Sequence, residues 1–160
     1  MSISDHDISA TDPFDLGRFL SAQDGIYENA VRELRSGQKR SHWMWYVFPQ
    51  INGLGTSVTA KHYAIKSLEE ARKYLEHPIL AARLLECTKS VNLLQGRTAF
   101  QIFGSPDDRK FCSSMTLFEV VAGPDSEFSL ALDKYCSGRR DPATLKLLQL
   151  SPSAENPSGA

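Results

Sequence analysis

Two stretches hold most of the side chains in this sequence that could do chemistry. Arg40-Ser41-His42-Trp43-Met44-Trp45-Tyr46-Val47-Phe48-Pro49-Gln50 gathers both tryptophans, a tyrosine and a phenylalanine beside an arginine, a serine and a histidine. Large rings offer a stacking wall for a planar ligand, and cationic or hydroxyl groups at the wall's edge suit an anion. Asn52-Gly53-Leu54-Gly55-Thr56-Ser57 follows at once. At Gly53 and Gly55 no Cβ hinders close approach, so backbone amides there could meet a phosphate or carboxylate. The second stretch carries Lys110, Ser113, Ser114 and Thr116. Three hydroxyls on one helix cost helical propensity, and if buried they need partners in a shared pocket or on carbonyls four residues back. The expected anion contacts are Arg40, His42 and Lys110. The wall is Trp43, Trp45, Tyr46 and Phe48, and Ser113, Ser114 and Thr116 form its polar floor.

Each of these groups also has a plainer role. Four rings in a short connection make a core plug between helices, the commoner fate of such area. Read as extended chain, the segment puts Trp43, Trp45 and Val47 on one side and Met44, Tyr46 and Phe48 on the other, so neither face is polar. The glycine turn is no dinucleotide fingerprint, having two glycines and no βαβ unit, and no P-loop, lacking Gly-Lys-Ser/Thr. Thr56 or Ser57 capping the next helix is the simpler reading.

Catalytic and metal chemistry have thinner support. His42 is the one general acid or base in the aromatic stretch, and imidazole suits that work near neutral pH. Cys87 falls on an apolar helical stripe, and Cys136 sits beside the glycine that ends a helix. Cys112, preceding Ser113-Ser114, is the one thiol worth testing as a nucleophile. Three cysteines, odd in number and far apart, point to reduced thiols and a cytoplasmic location. His6, His42, His62 and His77 make no metal-binding spacing, and no cofactor is expected.

The elements that must position these groups read as helices. Asp12-Pro13 signals a start ahead of Phe14, Phe19 and Leu20. Ile26, Tyr27, Ala30, Val31 and Leu34 keep helical rhythm up to Gly37. Ser67 and Glu70 form a capping box ahead of Leu68, Ala71 and Leu75, and His77-Pro78 opens a helix carrying Leu80, Leu84, Cys87, Val91 and Leu94. Ser105-Pro106-Asp107-Asp108 precedes Phe111, Met115, Phe118 and Ala122, closed by Gly123-Pro124. Phe128, Leu132 and Tyr135 follow up to Gly138, and Asp141-Pro142 opens the last helix with Leu145 and Leu148. No Asn-Gly or Asp-Gly hairpin separates alternating runs. The expectation is an all-α, compact multi-helix domain over residues 13–150, with possible solenoid-like stacking of successive helices. Disordered segments are expected at 1–12 and 151–160.

Composition fits that picture. The chain has 160 residues, 41% hydrophobic and 23% charged, enough to bury a core without a metal or disulfide staple. Eighteen basic against nineteen acidic side chains give a formal charge of -1, a poor footprint for general nucleic-acid binding. No apolar run approaches the roughly 20 residues of a membrane span, and Met1 to Thr11 has no signal-peptide core.

Arg40 through Gln50 resembles a bacterial family of uncharacterised proteins, domain of unknown function family 1810. Gly53-Leu54-Gly55, Tyr63-Ala64-Ile65, Tyr74-Leu75-Glu76-His77-Pro78, Ile102-Phe103-Gly104, Pro106-Asp107-Asp108 and Ser113-Ser114-Met115-Thr116-Leu117-Phe118 agree with it, so the likeness spans about Phe14 to Leu150. The resemblance implies a compact all-α cytoplasmic domain and no established activity. Cys112 stands where such sequences more often carry a basic residue, which weakens a nucleophile role. The calpastatin label often given to the family has no support here, since an inhibitor that folds on its protease should look disordered.

Three functions therefore compete. The first is binding of a small anionic, nucleotide-like or phosphate-bearing ligand at Arg40, Ser41, His42, Trp43, Trp45, Tyr46, Phe48, Gln50, Gly53, Gly55, Lys110, Ser113, Ser114 and Thr116. The second is an interaction scaffold holding a peptide or partner helix in a groove between helices. The third is an enzyme acting on such a ligand through His42.

Overall fold

A computed structural model describes residues 12–149. The expected terminal segments, Asp12 apart, lie outside these residues. Ten helices occupy the described chain: α1 (Gly17–Gln23), α2 (Tyr27–Ser36), α3 (Met44–Val47), α4 (Val58–Tyr63), α5 (Leu68–Glu76), α6 (Pro78–Asn92), α7 (Ala99–Phe103), α8 (Asp107–Ala122), α9 (Glu127–Tyr135) and α10 (Pro142–Gln149). One isolated parallel bridge pairs Ile51 with Ile65. The all-α expectation holds.

Local chemistry explains most boundaries. Gly37 ends α2 at φ 85°, a left-handed cap that a side chain would resist. The Ser57 and Ser67 hydroxyls accept from amides in the first turns of α4 and α5. His77 caps α6 through Nδ1, which accepts from the Ile79 and Leu80 amides at 3.2 and 3.3 Å, with Pro78 at the first helical position. The Ser67–Glu70 capping box forms by half. Ser67 accepts the Glu70 amide, but the Glu70 carboxylate turns to the Lys66 amide and the Arg18 guanidinium. The first helix starts later than expected, at Gly17. The Asp12 carboxylate still receives the Leu16 and Gly17 amides at 2.7 and 2.9 Å, across an intervening turn.

The core centres on α8, whose Phe111, Met115, Leu117 and Phe118 are wholly buried. Helices α5, α7, α9 and α10 pack around it, and α6 joins α2, α5 and α9. Contacts between successive helices are thus closed by contacts between distant ones. Aromatic rings run through the centre. Phe103 stacks on Phe111 at 4.6 Å, Phe48 meets Phe111 edge-on at 5.1 Å, and Phe118 lies between Tyr74 and Phe128 at 5.3 and 5.8 Å.

Two expectations are corrected. Residues 44–47 are not extended but make one helical turn. Trp43, Met44, Val47 and Phe48 are buried, the i, i+1, i+4, i+5 pattern of a helix face rather than the alternation of a strand. The cysteines are not all reduced, because Cys112 of α8 is bonded to Cys136 at the end of α9. Only Cys87 is a free thiol, buried, with its pKa pushed up to about 12 by that burial. The bond withdraws the redox argument for a cytoplasmic location, and it removes Cys112 as a candidate nucleophile. No described helix is long and apolar enough to cross a membrane.

Candidate functional site

The turn after α2 is organised by one carboxylate. Glu33 accepts from the Arg40 and Ser41 amides at 2.8 and 3.0 Å, the Ser41 hydroxyl at 2.6 Å, the Trp43 indole at 2.9 Å and Asn29 at 2.9 Å. Burial pushes its pKa up, but the donors, led by the Ser41 hydroxyl, outweigh burial and hold it at about 2. Lys39 continues the network. Its ammonium pairs with Asp107 at 2.9 Å, donates to the Ser41 carbonyl at 2.5 Å and lies 5.0 Å from the Trp43 ring centroid. Ser41 and Trp43 are therefore fastened to the scaffold rather than presented to a ligand.

The aromatic segment divides in two. Trp43 and Phe48 are fully buried and cannot line an open wall, which corrects that part of the expectation. Trp45 and Tyr46 are half-buried on the other flank of α3. Lys110 of α8 sits 4.9 Å over the Trp45 ring and 3.7 Å from Asp107. Arg40 and His42 are exposed. The His42 carbonyl accepts from the Tyr46 hydroxyl at 3.4 Å, while its ring takes part in none of the described hydrogen bonds and lines none of the four described clefts. Gln50 acts through its backbone, its carbonyl accepting the Ile65 amide at 2.8 Å. Gly53 turns at φ 110°, and at Gly55 a Cβ would stand 2.5 Å from that of Ala60. Both glycines serve the turn into α4.

The hydroxyls of α8 go elsewhere. Ser113 donates to Asp141 at 3.0 Å, and Thr116 donates to the Cys112 carbonyl at 2.8 Å and accepts the Asp141 amide at 2.9 Å. Together they fasten the start of α10. Ser114 is wholly buried, and its hydroxyl has no partner among the described residues. The aromatic segment does lie against α8, through Phe48–Phe111 and Trp45–Lys110, but the space between them is filled by rings.

A different grouping forms instead. The Ile51–Ile65 bridge draws the residues after α3 against the end of α4. Tyr46 then meets Tyr63 with centroids 5.3 Å apart, and His62 stands edge-on to Tyr63 at 4.6 Å. Beyond them a cleft of about 430 Å³ is lined by Arg18, Lys61, His62 and Lys66 and by the carboxylates of Asp15 and Glu70. Arg18 is structural, its donors going to the Phe14, Asp15, His62 and Ala64 carbonyls and to Glu70. Burial and the Arg18 charge lower the Lys66 pKa, and its ammonium donates to the Lys61 and Ala64 carbonyls. Burial, with Tyr63 adding, raises the Tyr46 phenol pKa. Stacking surface thus adjoins cationic donors, the chemistry that holds a ring bearing an anion. The sequence marked His62 only as a histidine without metal-binding spacing and gave Lys61, Tyr63 and Lys66 no part in a binding site. Their only local sign is a basic and aromatic run after the glycine turn. Among the described residues no cluster of His, Cys, Asp and Glu could hold a metal ion.

Fold and site define a compact all-α domain to which no reaction is attached. The chain belongs to the family described as a protein of unknown function (DUF1810), whose model matches residues 13–148. It is similar to the crystal structure of the conserved hypothetical protein Rv1873 from Mycobacterium tuberculosis. That likeness reaches 54% sequence identity and a TM-score of 0.84, covering 86% of this chain and 98% of that one. Among curated proteins nothing matches the chain.

Proposed function

We propose that this protein binds a small ligand carrying both a ring and an anion, nucleotide-like in its chemistry. The ligand lies on the surface that runs from Lys110 and Trp45 past Tyr46 and Tyr63 to Lys61, His62 and Lys66. The observation that carries this reading is the half-buried Tyr46–Tyr63 pair, 5.3 Å apart, against His62, which lines a cleft holding Arg18, Lys61 and Lys66 beside Asp15 and Glu70. The rings supply stacking area, and Lys61 and His62, both exposed, supply the anion contacts. An anion would also favour the charged form of Lys66, whose pKa burial and Arg18 lower against the opposing effect of Glu70. A formal charge of -1 favours a small ligand over a polynucleotide.

Thermal-shift measurements against nucleoside mono- and diphosphates, the parent nucleosides and inorganic phosphate test it. Stabilisation by the phosphorylated nucleosides above that by either part alone is expected. It should fall at least tenfold in apparent affinity for Lys61→Ala/His62→Ala and for Trp45→Ala, and stay within twofold for Arg40→Ala and His42→Ala. A flat response across the panel, or a response untouched by Lys61→Ala/His62→Ala, overturns the proposal.

A further inference from the structure

Helix α6 is apolar on two sides. Leu80, Leu84, Cys87 and Val91 form an inner stripe buried in the core. Ala82 and Leu85, with Leu93 and Leu94 just past the helix end, form an outer stripe interrupted by Glu86, Lys89 and Ser90, and this face lines a cleft of about 620 Å³ with Arg35 of α2. Leu85 and Leu94 are half-buried and also pack against the core, whereas Ala82 and Leu93 are exposed. Leu93 is 78% exposed, a large aliphatic side chain left in water.

A second cleft, of about 450 Å³, is lined by Tyr27, Val31 and Arg32 and shares Arg35 and Glu86 with the first. The two form a groove along the seam of α2 and α6 that the Arg35–Glu86 ion pair crosses. The helices run in the same direction there, with Arg83 4.9 Å over the Tyr27 ring at one end and Leu94 close to Gly37 at the other. Charge along the groove is uneven. Arg32, Arg35 and Lys89 face Glu28 and Glu86, and Glu86 already accepts from the Tyr27 hydroxyl and from Arg35 at 3.1 Å. The surplus is cationic, beside an aliphatic floor.

We propose that this groove docks an acidic amphipathic peptide segment of another protein. Its aliphatic side chains lie on the outer stripe of α6, and its carboxylates face Arg32 and Lys89. The groove shares no lining residue with the cleft beside Tyr63, so this proposal stands or falls apart from the small-ligand reading.

The test is panning of a random 12-residue display library on the full chain, followed by fluorescence anisotropy with the enriched peptides. Expected are sequences with two or more aliphatic residues at helical spacing and aspartate or glutamate beside them. Their affinity should fall at least tenfold on Leu93→Asp and on Arg32→Glu, both exposed positions, and should weaken with added salt. Circular dichroism of the variants checks that they fold. Failure to enrich any peptide, enrichment of basic or uncharged ones, or equal binding to Leu93→Asp overturns the proposal. So does sedimentation showing a dimer of this chain that Leu93→Asp dissociates, because the groove would then be filled by a second copy.

Discussion

The Trp43 indole donates to the Glu33 carboxylate at 2.9 Å, both groups buried. This bond turns Trp43, one of the four binding-wall rings expected from the sequence, into a structural post. Once the indole N–H is taken and the ring enclosed, Trp43 has nothing left to offer a ligand. The proposed ligand surface lies instead on Trp45 and Tyr46, on the opposite flank of the same helical turn.

Glu33→Gln should destabilise the protein by about 2–3 kcal/mol in urea or thermal unfolding, because several donors lose a charged acceptor. The wild-type carboxyl has its pKa lowered from 4.5 to about 2 on folding. Its contribution is therefore complete above about pH 4.5 and is lost as pH falls toward 2. Glu33→Gln should flatten that acid limb, and an unchanged limb would remove Glu33 as its source.

The hydroxyls of α8 should separate cleanly. Thr116→Val removes both the acceptor of the Asp141 amide and the donor to Cys112, and should cost about 1–2 kcal/mol. Ser114→Ala deletes a buried hydroxyl that has no described partner and should be neutral or slightly stabilising. A large loss at Ser114 in chemical denaturation would mean that its hydroxyl does have a partner.

Thiol titration of the unfolded protein should find one reactive group before reduction and three after it. The Cys112–Cys136 bond spans 24 residues of sequence, and the loop it closes predicts a loss of about 3 kcal/mol for Cys112→Ser/Cys136→Ser. Three reactive thiols without reductant would show the pair unbonded in solution.

Gly55→Ala should destabilise by more than about 1 kcal/mol, since the new Cβ would sit 2.5 Å from the Ala60 Cβ. Ala60→Gly should restore much of the loss in the double variant. Absence of such rescue would place the strain elsewhere in the turn.

Much of the fold was legible in the residues themselves. Helical periodicity, the Gly37 cap, the serine caps at 57 and 67 and the His77-Pro78 start all act through neighbours a few positions away. Short-range sterics and hydrogen bonding decide them whatever the rest of the chain does. The aromatic stretch and the hydroxyl-bearing helix were also legible as places that needed an account. Their partners were not. Which flank of α3 faces solvent depends on Glu33 capturing the Trp43 indole, and Ser113 and Thr116 are claimed by Asp141, 28 and 25 residues away. The grouping of Tyr46 with Tyr63 and His62 needs the Ile51–Ile65 bridge, and the disulfide needs α8 and α9 side by side. Long-range packing settles such pairings by competition among many burial options of similar worth, and no local pattern in the chain encodes the winner.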